Sequence, residues 1–314
     1  METALFFQVF TVTGPVFAML IAGVYLRKAR LINDAFIATA SNLSFRALMP
    51  TLLFFSILQA DLDTALQLDL IGYFYLVTLL TFGWAWLWSL KRVPVRDRGV
   101  YVQGAFRGNC GIIGLALAAS QYGVYGLSTG GVIAGIGIVL FNVLSVVVLG
   151  IYSPTFESDI KSVLSNLARN PLILSVLAGL LASWVGLGLP EWVMVSGDYF
   201  ASMTLPLALV CIGGSLSLGS LVDSGRLAIS ASLIKVLWTP ALFTVIAWLI
   251  GFEGRDLGML YLFLASPTAA VSYVMARAAG SDGKLAANII AISTVFSMVT
   301  IMFGLYLLEH YGLI

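Results

Sequence analysis

The chain reads as an all-α membrane protein of ten transmembrane helices, built as two inverted five-helix repeats whose fourth and ninth helices are broken and cross. Three observations predict this. Sixty per cent of the 314 residues are apolar and ten per cent are charged, and the mean hydropathy of +1.01 is one that no water-soluble domain of this size tolerates. Apolar stretches of the roughly 20 residues needed to cross about 30 Å of hydrocarbon recur almost end to end. Landmarks in the first half also return at one fixed separation in the second.

The stretches, in order, are residues 5–26, 35–59, 70–90, 98–121, 126–152, 171–189, 193–218, 226–250, 257–279 and 284–308. The loops between them are too short to form a soluble domain, so the spans themselves must carry the function. The first is preceded by Glu2 and followed by "RKAR", Arg27 to Arg30, which reverses the charge order of a secretory signal; it is expected to stay in the mature protein. Basic residues collect in cytoplasmic loops. A model with both termini outside puts Arg27, Lys28, Arg30, Lys91, Arg92, Arg96, Arg98, Lys161, Arg169, Arg226, Arg277 and Lys284 inside, and only Arg255 outside. Asp61, Asp63, Asp69, Glu191, Asp198, Glu253 and Asp256 fall outside. Trp84, Trp86 and Trp88 suit one interfacial belt, and Trp184, Trp192 and Trp248 the other. Cys110 and Cys211 lie within spans, which argues against a structural disulfide.

The repeat appears in three registers. "PVFAMLIAG" begins at Pro15 and "PLILSVLAG" at Pro171, 156 positions apart, and Pro50 and Pro206 keep the same separation. The same offset carries Cys110 and Gly111 onto Ser266 and Pro267, in "LASPTAA". Five spans per half is an odd number, so the halves cross in opposite senses: residues 1–152 form one repeat, 153–170 a cytoplasmic linker, and 171–314 the second. Transporters of this architecture bind substrate near the midplane, where discontinuous helices meet. "RGNCGIIG", Arg107 to Gly114, interrupts the fourth span and "SPT", Ser266 to Thr268, the ninth, each about 10 residues in and so near mid-membrane at about 1.5 Å per residue. Gly108, Gly111 and Pro267 are the helix breakers there, and Pro50 and Pro206 mark further breaks in spans two and seven.

"RALMPTLLFFSIL", "FRGNCGIIGLALA", "NPLILSVLAGLL", "PLALVCIGGSLSL" and "SPTAAVSYVMARAAGSDGKLAANIIAISTVFS" together resemble the auxin efflux carrier family, the plant PIN proteins and their bacterial relatives, many labelled malonate or malate permeases. The resemblance covers nearly the whole chain. It implies the bile-acid/sodium symporter-like fold, a scaffold of spans 1, 2, 6 and 7, a mobile transport domain of spans 3–5 and 8–10, elevator-type transport, a homodimer through the scaffold and a place in the plasma membrane. In the plant members an Asn beside a crossover proline contacts the carboxylate substrate. Asn109 fills that position in the fourth span without a preceding proline, while the ninth span has Pro267-Thr268 where the plant pattern has Pro-Asn. The linker is short, so regulation through a long hydrophilic loop is not expected.

Every Asp and Glu falls in a loop or at a span end, which disfavours a carboxylate ion relay; Asn109, Asn142, Gln103, Ser266 and Thr294 remain as neutral ligands for a sodium ion. Three cations do enter: Arg46, Arg107 and Lys235. Arg107 either caps the first half-helix, where a cation offsets the negative dipole end, or contacts substrate. Arg46 lies four residues before Pro50 and either serves the carbonyl that proline frees or meets ligand. Lys235 either snorkels toward the cytoplasm or joins the site. The candidate substrate set is thus Arg107, Gly108, Asn109, Cys110, Ser266, Pro267, Thr268, Arg46 and Asn142; Ser266 and Thr268 are equally suited to re-satisfying broken backbone. Asn142, Ser293, Thr294 and Ser297 are equally suited to joining helices.

Two half-helices aiming positive ends at the midplane favour a carboxylate. The expected activity is secondary transport of a small organic anion, by efflux or exchange, driven by membrane potential without obligatory coupling. The alternatives are a sodium-coupled symporter, or a channel or receptor on the same scaffold. An intramembrane enzyme using Cys110 lacks a base, His310 being far away at the C-terminal end. No cofactor, metal or nucleic-acid partner is expected.

Overall fold

The computed structural model describes residues 2–59, 67–152, 169–216 and 225–314, and every named element in them is helical. Lys161, Asp61, Asp63 and nearly all of the 153–170 linker fall outside the described residues. In chain order the elements are α1 (Glu2–Lys28), α2 (Asp34–Leu43), a π stretch (Ser44–Leu48), α3 (Met49–Leu58), α4 (Leu68–Arg92), a 3₁₀ turn (Val95–Asp97), α5 (Arg98–Phe106), a second π stretch (Cys110–Gly114) and α6 (Leu115–Tyr152). They continue as α7 (Pro171–Trp184), α8 (Glu191–Ser202), α9 (Thr204–Ser215), α10 (Arg226–Leu233), a third π stretch (Ile234–Trp238), α11 (Thr239–Leu249), α12 (Gly254–Ala265), α13 (Val271–Ala278) and α14 (Gly283–His310). It is an all-α membrane protein.

Among the described residues, 7 helical stretches are long and apolar enough to cross a bilayer, against ten expected spans. The difference comes from local breaks. The fourth and ninth spans are divided into half-helices, and the sixth, α7, has only 14 residues, about 21 Å of helix. The second half of the fourth span also runs into the fifth as one helix of 38 residues, about 57 Å if it were straight. It is not straight. Gly123 leaves the helix with φ 55° and ψ −128°, a region open to glycine. Beyond it the chain folds back so tightly that a Cβ on Gly126 would stand 2.0 Å from the Ala118 carbonyl.

Helix starts are set by local chemistry. Asn33 caps α2 through the Phe36 N–H at 2.9 Å, Asn170 caps α7 through Leu172 N–H, and Asp282 caps α14 through Leu285 N–H at 3.0 Å. Each side chain satisfies an orphan N–H of a first turn. Pro171 occupies the first position of α7, where its missing N–H costs nothing, whereas Pro15 sits inside the longer α1. Pro50 and Pro240 each follow a π stretch, which absorbs the hydrogen bond that proline removes. Pro206 lies three residues beyond a kink at Met203 that parts α8 from α9.

The helix ends sort largely by charge, with Arg255 beside Asp256 at one face and Asp34 beside Arg27 at the other as exceptions. Arg98 donates to the Leu90 and Val93 carbonyls and covers the Tyr152 ring, while Arg92 covers Trp88; with Arg27, Lys28 and Arg226 these define a basic face. At the opposite, acidic face Tyr125 donates to Asp256, Gln121 to Glu309 and Gln59 to Asp198. Two packing groups result. In one, α1 lies along α9 and α3 along α7, with α2 on α9 and α8 on α3. Small residues let the backbones meet there: a Cβ on Gly213 would stand 1.9 Å from the Leu20 carbonyl. In the other, α4, α5 and α6 pack together and join α10 and α12, and α14 packs on α5, α10, α12 and α13.

Candidate functional site

The two interrupted spans meet at their breaks. Helix α5 ends at Phe106 and α12 at Ala265. The freed segments run antiparallel and pair through Asn109 N–H to the Pro267 carbonyl at 2.7 Å and Ala269 N–H to the Arg107 carbonyl at 3.1 Å. Broken backbone inside a membrane must find partners in the protein, and here each break is the other's partner. Gly108 stands at the closest approach. A Cβ on it would lie 2.8 Å from Ser266 Oγ, 3.0 Å from Cys110 Sγ and 3.1 Å from Lys235 Cε. Gly111 has a different part from the one expected: the break falls at Arg107 to Asn109, and Gly111 already belongs to the π stretch that follows.

Around this pairing most of the polar side chains are engaged. Arg107 is buried and carries its guanidinium across to α6, donating to the Phe141 carbonyl at 3.1 Å, Ser145 Oγ at 3.0 Å and Asn142 Oδ1 at 2.7 Å. Its Nε has no partner. Asn142 is therefore a seat for Arg107. Thr268 donates its hydroxyl to the Gly104 carbonyl at 2.7 Å, and its N–H goes to Ser293 Oγ at 3.1 Å. Ser266 bonds the Phe263 carbonyl of its own helix at 2.7 Å and touches Cys110 Sγ at 3.3 Å. Cys110 and Cys211 are both free thiols and buried. Asn109, 7 % exposed, has a side-chain amide with no hydrogen-bond partner among the described residues, and the buried Oε1 of Gln103 and Oδ1 of Asn288 also lack one.

Two expected placements need correction. Arg46 does not join the breaks: it is exposed on the first π stretch, which packs only on α2, α3, α7 and α9. A π stretch widens the helix before Pro50, so no proline-freed carbonyl draws the guanidinium in, and Arg46 makes no hydrogen bond there. Lys235 does not snorkel. It is 3 % exposed and donates to the Leu264 carbonyl at 2.6 Å, at the C-terminal end of α12, where a cation offsets the negative pole of the helix. The third π stretch turns it inward, toward a small void of about 10 Å³ that it shares with Thr81, Thr239 and Phe106. Thr294 and Ser297 bond carbonyls of their own helix, whereas Ser293 serves Thr268.

The site is therefore a backbone crossing with two buried cations, neither bonded to a carboxylate, and a free amide beside them. Residues 154–305 match the family model described as membrane transport protein. By its second half, the chain is similar to the membrane transport protein family. This family is auxin efflux carrier-like, as the motifs of the sequence implied. Similarity also extends into the first half. An uncharacterized transporter of Methanothermobacter thermautotrophicus is 22% identical over 302 residues, 91% of this chain and 94% of its own length. Another, from Methanocaldococcus jannaschii, is 27% identical over 197 residues, 62% of this chain. In that pairing the chain spans 63% of the relative, a little under two thirds of its length.

Proposed function

We propose that the protein is a secondary transporter that carries a small organic anion, a carboxylate, past the paired breaks by an elevator-type movement. The observation that carries the reading is the free amide of Asn109 beside the buried, carboxylate-free cations Arg107 and Lys235. An intramembrane cation without an acid partner needs carbonyls, water or an anionic ligand. In this reading the ten spans form two inverted repeats. Its support is the register of the elements: Arg98 and Gly254, which open α5 and α12, stand 156 positions apart. The scaffold is α1–α3 with α7–α9, and the moving body is α4–α6 with α10–α14, in line with the two packing groups.

The basic face is cytoplasmic and both termini lie outside, in the plasma membrane, with a second copy joined through the scaffold. An inside-negative potential drives an anion outward by about 2.3 kcal/mol per charge per 100 mV, so efflux or exchange proceeds without an obligatory coupling ion. The test is counterflow of radiolabelled mono- and dicarboxylates in proteoliposomes at clamped potential. Saturable counterflow supports a carrier, unsaturable current a channel, and binding without flux a receptor. One observation favours a sodium-coupled version: Gln103, one turn before the first break, is fully buried and its Oε1 has no partner. Flux that disappears when sodium is replaced by choline would select it.

A further inference from the structure

Arg46 lies 12 residues beyond the start of a helical stretch, Asp34–Leu58, that is long and apolar enough to cross a membrane, about 18 Å along the axis. At that depth it is exposed and makes no hydrogen bond or ion pair with the described residues. Thr39 and Asn42, two turns and one turn before it on the same face, are exposed as well. A charge facing hydrocarbon at mid-depth is costly, and such residues face a bundle interior or a water-filled cavity. Something polar therefore covers this face.

The other half of the molecule says what. At the separation of 156, Asn42 and Arg46 correspond to Asp198 and Ser202 on α8. Those two residues, with Gln59, Ser56 and Val124, line a cleft of about 220 Å³ toward the acidic face, between the scaffold and the tip of α6. There the two bodies are in contact: α3 packs on α6. The corresponding pair toward the basic face is α9 and α14, which have no extensive packing on each other; the extensive contacts of α2 and α13 are with their own groups. On α13, Val271, Tyr273 and Val274 are 44%, 41% and 61% exposed. The α3–α6 contact toward the acidic face thus has no counterpart between α9 and α14, and the bodies also meet through α1 on α14 and α9 on the second π stretch.

We propose that the Thr39–Asn42–Arg46 face of α2 is the wall of a water-filled crevice open to the basic face, and that Arg46 concentrates small organic anions there before they reach Asn109. This rests on the carrier reading above and adds an entry site distinct from the breaks. The corresponding cleft at the acidic face carries Asp198 and no cation, so the two entrances have opposite charge. Fields focused in a cleft of one sign raise the local concentration of counter-ions by about 10- to 1,000-fold. Anions are accordingly admitted more readily from the basic side.

Labelling tests the crevice without depending on transport. Asn42→Cys is treated with an anionic sulfonatoethyl and a cationic trimethylammonioethyl methanethiosulfonate in membrane vesicles of both orientations. Ala29→Cys marks the basic face, and the unaltered chain, whose two thiols are buried, is the blank. Asn42→Cys is expected to react from the same side as Ala29→Cys. Adding Arg46→Gln should slow the anionic reagent about 10-fold, the low end of that focusing range, and spare the cationic one; Arg46→Lys should restore the anionic rate. No reaction from either side, which means lipid, overturns the proposal. So does disulfide cross-linking of Asn42→Cys between two copies, or an anionic-to-cationic ratio indifferent to Arg46. If labelling behaves as expected but no carboxylate in the counterflow panel is carried, the crevice stands and the carrier reading falls.

Discussion

The two breaks that pair at the centre of this molecule are chemically unequal. At the second, Ser266 and Thr268 spend their hydroxyls on the Phe263 and Gly104 carbonyls, and the Thr268 N–H is taken by Ser293. At the first, Arg107 is spent on α6, but the Asn109 amide is bonded to nothing. A buried polar group normally finds a partner, so a break whose hydroxyls are all consumed is built to hold shape. A break that keeps one amide in reserve is built to meet something that arrives. Under the proposed carrier reading, support falls to the ninth span and recognition to the fourth, although the backbone treats them as equals.

The sharpest way to break that comparison is Arg107→Met. It orphans three acceptors on α6, and an unsatisfied buried group costs about 1–3 kcal/mol. Relief of the buried charge offsets part of this, leaving a loss of about 3 kcal/mol in thermal melting of the purified protein. Melting unchanged from the parent would mean that Arg107 is free for ligand and that the partition drawn above is wrong. Next in size, Asn109→Ala should leave melting intact and weaken carboxylate binding by about 10- to 150-fold, the loss of one hydrogen bond to a charged group. Calorimetry with the carboxylate selected by the counterflow panel measures it.

Gly108→Ala should cost about 1–3 kcal/mol through overpacking against Ser266 and Cys110, and Ser266→Gly in the same chain should recover part of it. Failure to recover would place the clash elsewhere. The smallest effect expected is that of Thr268→Val, a stability loss of about 1 kcal/mol from its bond to Gly104, with affinity unchanged. A large affinity loss there, with melting preserved, would move recognition to the ninth span.

Much of this arrangement was legible beforehand because it is written in residues that the backbone obeys. Apolar length fixed where helices run, and the 156-residue return of prolines and small residues located both breaks to within a few positions. Pro267 disrupts a helix in most surroundings, and Gly108 lowers the cost of leaving one. The three intramembrane cations stood out too, since a charge in an apolar run is visible without a structure. Their fates did not, because a long side chain reaches about 6–7 Å and its partner is chosen by whichever helix lies beside it.

Composition and periodicity determined by themselves that this chain lives in a bilayer, that its backbone is helical and that two spans are interrupted near their middles, since each follows from local hydrophobicity, proline and glycine. Only the tertiary structure decided that Arg107 seats on α6, that Lys235 turns inward to the Leu264 carbonyl, that Arg46 stands exposed away from the breaks and that the Asn109 amide is left without a partner. Hydrogen-bond satisfaction is a property of neighbours brought from 29 to 164 positions away, and no local pattern in the sequence identifies them.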